Sequence, residues 1–265
     1  MTEVLHFPTP DFDRLFRGDR YRFEFGVHPA SFDWFRWGSK DSELLEERRS
    51  LLDGHPERHL PWSAEADPVL DELMSLLPQP TEGVEVGTGR AKARYLAGSW
   101  EPDFILLQRD LDGIFRMVGG AVCDPSGWDP GAKLGLTVEA IHVPVPGLNS
   151  ELGSRIGTFL NRLPSDATWC RENWGLAAFP DRNAHPSLNR PRLRRDTRPE
   201  ETWLRVEHQA FRSLPRTGGI VFLIWLTIHR LSEVLQDSSV AEAFHRQLQS
   251  MPTEMAAYKG IDCLQ

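Results

Sequence analysis

Two short apolar runs, Phe104-Ile105-Leu106-Leu107 and Ile114-Phe115-Arg116-Met117-Val118, flank the tetrapeptide Asp110-Leu111-Asp112-Gly113. Strands joined by so short a turn must be antiparallel, because a parallel pair needs a crossover of a dozen or more residues. The chain therefore contains an antiparallel sheet. Gly119-Gly120-Ala121-Val122-Cys123 prolongs the second strand. Gly219 to Leu226 is dense in β-branched, aromatic and aliphatic residues, the pattern of a central strand buried on both faces. Trp169 to Phe179 and Thr202 to Phe211 read as extended, and Tyr21-Arg22-Phe23-Glu24-Phe25 alternates between Gly18 and Gly26 as a short strand would.

Helical spacing lies around this sheet. Asp41 to Leu52 carries Leu44, Leu45, Leu51 and Leu52 on one side, with Asp41 or Ser42 as its cap. Pro68 to Leu77, Ser150 to Leu163, Leu231 to Leu235 and Val240 to Leu248 follow the same pattern. Gly83 to Val122 reads as short strands between Gly and Pro, and Asp181 to Thr202 as a loop that is mobile unless a partner orders it. The expected fold is α+β, an antiparallel sheet flanked by helices at both ends of the chain.

With 265 residues, 40% hydrophobic and 26% charged, the chain is long enough for one large core. A net charge of −8 argues against a nucleic-acid binder. The five arginines between Arg190 and Arg198 read as a solvated loop, with a docking patch for an acidic partner as the alternative. Cys123, Cys170 and Cys263 form no Cys-x-x-Cys pair, which fits a reducing compartment. Met1 to Phe12 does not read as a signal peptide, and the longest apolar run, Gly218 to Ile228, is shorter than the roughly 20 residues needed to span a bilayer. The expectation is a soluble, cytoplasmic protein.

Chemistry-bearing residues gather in a few places. His142 ends an apolar stretch and is followed by Val143-Pro144-Val145-Pro146-Gly147. Each proline locks its own φ and biases the preceding residue toward extended geometry, so the histidine is expected on a stiff, extended segment. It is either a core residue or a metal or haem ligand through neutral imidazole. No second His or carboxylate stands at ligand spacing from it, which disfavours a stand-alone zinc or iron site; a haem needs one protein ligand only. Arg171-Glu172-Asn173-Trp174 is either a partly exposed strand or a cofactor wall. In an extended segment Arg205, Glu207 and Gln209 share a face, either exposed or lining a pocket. Gly87-Thr88-Gly89-Arg90 lacks the phosphate-loop spacing, no Gly-x-Ser-x-Gly is present, and His55 and His59 are separated by Pro56.

Taken in order, Pro125-Ser126-Gly127-Trp128 with Lys133-Leu134-Gly135, Ile141 to Pro146, Arg171 to Trp174, Leu204 to Gln209 with Leu214-Pro215, and Tyr258-Lys259-Gly260 resemble the haem-dependent oxidative N-demethylase family, which includes the haem-binding α subunit of dimethylamine monooxygenase. The resemblance runs from about Phe7 to Gly260 and treats residues 1–265 as one domain with a PAS-like core over roughly 83–230. It implies b-type haem held by a single histidine, oxidation of a small amine by O2 with release of an aldehyde, and electrons from NADPH through separate flavin and iron–sulfur reductase subunits. Partner subunits or a homo-oligomer are implied; nucleic acid and membrane are not. By position, the resemblance makes His142 the proximal ligand and Glu207 the substrate-facing carboxylate. Arg171, Asn173 and Arg205 become candidates for haem-propionate or pocket contacts. Gln108-Arg109-Asp110, Glu207-His208-Gln209 and the apolar Phe222 to Thr227 depart from the usual family residues, and a bulkier, more apolar substrate follows if the last of these lines the pocket. A haem-based gas or redox sensor, or a haem-free binding module, is the alternative of another class.

Overall fold

The hairpin at residues 110–113 is closed by the Asp110 side chain, whose Oδ1 accepts from the backbone N–H groups of Asp112 and Ile114 at 3.0 and 2.9 Å. Its other oxygen takes Arg116 Nε at 2.6 Å, so turn and strand share one anchor. The computed structural model describes residues 10–31, 33–35, 42–77 and 86–264. Among these, six strands form one sheet: β1 (His28–Pro29), β2 (Asp103–Arg109), β3 (Phe115–Ala121), β4 (Trp169–Ala177), β5 (Trp203–Ser213) and β6 (Ile220–Arg230). Their spatial order is β1-β4-β5-β6-β2-β3, and every neighbouring pair is antiparallel. The apolar run after Gly219 is indeed central, with β5 on one side and β2 on the other.

The described helices are α1 (Phe12–Leu15), α2 (Ser42–Gly54), α3 (Pro56–His59), α4 (Ala66–Leu76), α5 (Gly89–Ala97), α6 (Val138–His142), α7 (Leu148–Arg162), α8 (Leu231–Val234), α9 (Ser238–Ser250) and α10 (Thr253–Tyr258). On one face of the sheet, Phe104, Leu106, Val118, Ala210, Val221 and Leu223 pack against Leu52 of α2, Val69, Leu70 and Leu73 of α4, and Leu96 of α5. The same face continues over β4 and β5, where Trp174, Leu176, Leu204 and Val206 meet α8, α9 and α10. Each of these fully buried aliphatic side chains contributes about 1.5–3 kcal/mol. Gly119 allows the closest approach, since a Cβ there would stand 2.8 Å from both Ala66 Cβ and the Trp62 ring. On the opposite face, Ile105, Leu107, Phe115, Met117, Ile220 and Ile224 are covered by Val138 and Ile141 of α6 and by Ile156, Phe159 and Leu160 of α7. The result is an α+β unit with helices on both faces.

Several expectations need correction. Residues 21–25 form no strand. The alternation is real but serves an extended strap: Phe25 meets Phe159 of α7 edge to face with centroids 5.2 Å apart, and Tyr21 and Phe23 pack against the α9–α10 core. Residues 89–97, expected within a strand-rich region, form α5, with Ala93, Leu96 and Ala97 buried on its inner side. The segment 181–202 is held at several points, among them Ala184 N–H to the Pro125 carbonyl and two short 3-10 turns, and Leu193 is buried. Three of its arginines are paired locally, Arg190 with Asp181, Arg194 with Asp196 and Arg198 with Glu201. Asp41 as cap of α2, Gly83 as start of the sheet region and Phe7 as start of the resemblance lie outside the described residues.

Candidate functional site

α6 begins at Thr137, whose hydroxyl accepts from Ala140 N–H at 3.1 Å, and ends after barely more than one turn at His142. The extended geometry expected before Pro144 is not adopted: Val143 is helical, φ −49 and ψ −39. The Val145 N–H closes back onto the His142 carbonyl at 2.9 Å, and Gly147, at φ +76, turns the chain into α7. The stiffness survives as a tight helical turn, since a left-handed residue between two helices favours glycine.

His142 Nδ1 is buried and has no hydrogen-bond partner among the described residues, whereas Nε2 is neither buried nor bonded. Desolvation, followed by the nearby cations Arg171 and Lys133, lowers the imidazole to about 4. It is therefore neutral at physiological pH, as a metal ligand must be.

β4 and β5 carry the polar row. Their register sets Arg171 opposite Gln209, Asn173 opposite Glu207 and Gly175 opposite Arg205, all on the face that α6 and α7 cover. Glu207 is 9% exposed. Asn173 Nδ2 and Gln209 Nε2 both donate to its Oε2, at 3.2 and 2.9 Å. Oε1 accepts from no described residue, yet it is not among the buried unpartnered atoms, so it keeps some access to solvent. On β6, Leu226 stands beside Glu207, with Ile224 and Ile228 flanking it, while Trp225 and Thr227 belong to the other face. Of the apolar run 222–227, only the even-numbered residues share the Glu207 face.

Arg171 has no ion pair or hydrogen bond to a described residue; its Nε is buried and its outer nitrogens are open. Desolvation lowers its pKa, against the opposing pull of Glu207, Glu172 and Tyr21. Arg205 is differently placed. Its outer nitrogens donate to the carbonyls of Asp181 and Arg182 at 2.7 and 2.6 Å and reach Ser126 Oγ at 3.4 Å. Most of its donor capacity therefore holds loops 124–126 and 181–182 against β5, leaving Nε buried and unpartnered.

Electrostatic coupling joins these groups in a chain: His142 to Arg171, Arg171 to Glu207, and Glu207 to Arg205. The structure thus brings all five residues singled out from the sequence to one region. It adds three that the sequence reading left without a role. Lys259 donates to the Trp174 carbonyl at 2.5 Å and is lowered to about 8 by desolvation, with Glu207 opposing and Arg171 adding to the shift. Tyr21, pushed up to about 12 by burial, lies near Arg171 and Tyr258, and Tyr258 lies near Glu207. Two of the three tyrosines in the chain therefore stand within electrostatic reach of this region. The usable signals were the Tyr258-Lys259-Gly260 motif and the alternating Tyr21–Phe25 run.

Among the described residues no three His, Cys, Asp or Glu side chains converge as a metal site. The donor set is one neutral imidazole with an open nitrogen, beside an unpaired guanidinium. That fits a group that needs a single protein ligand and carries carboxylates, as haem does. The sequence model of the family described as haem-dependent oxidative N-demethylase, alpha subunit-like, matches residues 78–265. The chain belongs to this family. All five motifs noted above lie within the matched span, whereas residues 7–77, included in the sequence resemblance, lie outside it. The family's description implies haem dependence, an oxidative N-demethylase type of activity and a multi-subunit setting with partners. No helix among the described residues is long and apolar enough to cross a membrane.

Proposed function

We propose that this member of the N-demethylase family binds b-type haem through His142 and oxidises a small amine whose ammonium is seated on Glu207, with electrons from separate reductase subunits using NADPH, flavin and iron–sulfur centres. The observation that carries the reading is the set of complementary free ends on one face of the sheet: His142 Nε2, the outer nitrogens of Arg171 and Glu207 Oε1. These ends are open, and beside them His142 Nδ1, Arg171 Nε and Arg205 Nε are buried without partners, a costly arrangement that supports a ligand-binding role for this face.

Haem, when bound, would supply the redox chemistry with O2, using reductase electrons, for oxidation at carbon next to nitrogen and release of an aldehyde. The residues of this chain do the rest. His142 would offer its neutral imidazole as the protein ligand to the iron. Arg171, desolvated and unpaired, suits a propionate. Asn173 and Gln209 hold Glu207 by Oε2, so that Oε1 is presented at a fixed position to the ammonium and can take up or return its proton. Leu226, Ile224 and Ile228 supply an apolar wall for the alkyl groups and exclude water beside the carboxylate. Arg205 keeps the two neighbouring loops in place. The six-stranded antiparallel sheet supports a PAS-like reading of the core.

Reconstitution tests the cofactor: the wild-type protein is expected to give a Soret band that His142→Ala loses. Turnover with reductant, O2 and dimethylamine should release formaldehyde, and Glu207→Gln should keep haem while losing at least about tenfold in activity, the scale of a general-acid or -base group. Haem binding without turnover of any amine would favour a sensor.

A further inference from the structure

Two residues before β1, Gly26 stands at φ +57, outside any strand conformation. β1 itself pairs only with Trp169 and Cys170, and the Ala30 N–H donates to the Thr168 carbonyl at 2.8 Å. Backbone groups alternate sides along a strand, so the N–H and C=O of Thr168, Cys170, Glu172 and Trp174 all face this outer edge of β4. Carried on in the same register, the chain would set Gly26 against Glu172 and Glu24 against Trp174. Instead it leaves the edge at Gly26 and runs on as a strap. Neither backbone group of Glu172 then has a partner among the described residues, and the Trp174 carbonyl takes the Lys259 ammonium in place of a strand. Over residues 19–27 the backbone makes a single hydrogen bond to the described residues, from Tyr21 N–H to Ser250 Oγ at 2.7 Å. The strap borders an open cavity of about 560 Å³ with Arg17, Arg22 and Arg155 in its lining, so it is not packed in along its whole length.

We propose that residues 21–27 are a switch segment that zips onto β4 as a full edge strand, extending β1, when a ligand occupies the Glu207 face; the trigger rests on haem being that ligand. The strand form accounts for the alternation of Tyr21, Phe23 and Phe25, which the strap does not need. Residues directly opposite each other in an antiparallel pair share a face. Val27 would thus join Arg171, Phe25 would join Asn173 and Phe23 would join Gly175, on the face that carries Glu207. That face has room for them. A Cβ at Gly175 would meet nothing within 4 Å, and Phe25 already lies on this side, against Phe159 of α7. Closing pairs the open groups of Glu172 and sets two rings beside the ligand. The ligand gains that outer wall only in the strand state, which is what lets it shift the balance. Gly26 sets where the balance lies. A Cβ there would come no nearer than 3.9 Å to the Glu24 carbonyl, so the left-handed φ of the strap, and not lack of space, is what calls for glycine. The strand form makes no such demand.

The test is amide hydrogen exchange at Glu172 and Trp174, followed by NMR with and without haem, together with haem affinity from the Soret band. In the haem-free wild type both amides should exchange quickly, and haem should slow them by at least about tenfold. Gly26→Ala penalises the left-handed strap and not the strand, which moves the equilibrium toward the strand by roughly tenfold. Its two amides should be protected before haem is added, and it should bind haem more tightly than the wild type does. Gly26→Asn, which still enters the left-handed region, should stay close to the wild type. Equal exchange in the wild type with and without haem, or weaker haem binding in Gly26→Ala, overturns the proposal. The wild-type comparison alone decides it if Gly26→Ala does not fold. Absence of a Soret band in the wild type overturns the haem reading and the trigger with it, while exchange in haem-free Gly26→Ala still decides whether the strand forms.

Discussion

Two clusters of buried charge in this protein are satisfied in opposite ways. Arg48, wholly buried on α2, donates to the Ala97 carbonyl at 2.9 Å and to Asp103 Oδ1 at 2.8 Å. Asp103 also accepts from the Cys123 and Asp124 N–H groups at 2.8 and 2.9 Å, and Asp124 takes Arg182 Nε at 2.9 Å. Each charge in that set has a partner, and together they tie α2, the start of β2, the 123–124 turn and the 181–182 loop into one joint. Around Glu207 the opposite holds: His142, Arg171 and Lys259 carry donor or acceptor capacity that no described residue uses. The paired cluster serves architecture. The underpaired one is where we propose that a ligand binds, since an external partner would offset the desolvation of its groups.

The largest effect should separate the clusters outright. Arg48→Met leaves Asp103 buried without its cation and is expected to cost about 3–5 kcal/mol in chemical denaturation. An equal loss in Arg171→Met would erase the distinction. Next in size, haem at about a hundred times its Kd should stabilise the wild type by about 2.7 kcal/mol, read as a rise in Tm, and should stabilise His142→Ala far less. An equal rise in both proteins would remove His142 as the ligand.

Acid gives a smaller, graded test. Burial lowers His142 to about 4 and His208 to about 3, below the unfolded value of roughly 6.5. A depressed histidine contributes stability that is fully present above the unfolded pKa and is lost as pH falls through the folded one. Stability of the haem-free protein should therefore decline from about pH 6.5 toward pH 4 and below, at up to about 1.4 kcal/mol per pH unit for each histidine. His142→Gln should remove one histidine's share of that slope between about pH 6.5 and 4, and an unchanged slope would show that the imidazole is not held neutral. Smallest of all, Arg171→Met in the haem-free protein should shift stability by less than about 1 kcal/mol, because no hydrogen bond is lost and a desolvated charge is removed.

Much of the frame was legible in the sequence, and the misses have physical causes. The hairpin around Asp110 and the central strand after Gly219 depend on local turn chemistry and on composition, so they are read directly. The Tyr21–Phe25 run alternates as a strand does, but its rings seat on α7 and on the α9–α10 core, while strand pairing at the β4 edge begins only at His28. Val143 stays helical before Pro144 because its turn closes through the Val145 N–H. Lys259 was visible as part of a motif, but nothing in 253–260 indicates that it reaches back to Trp174.

By itself, the sequence determined the antiparallel sheet, the helices beside it and the side chains able to carry the chemistry, because periodicity and turn residues act over a few neighbours. Only the tertiary structure decided which polar atoms have partners. Arg205 and Arg171 stand alike in alternating strands, yet one donates to two loop carbonyls and the other remains unpaired. What lies across from a side chain is set by segments distant in the chain, and that is where a structural arginine parts from one left unpaired.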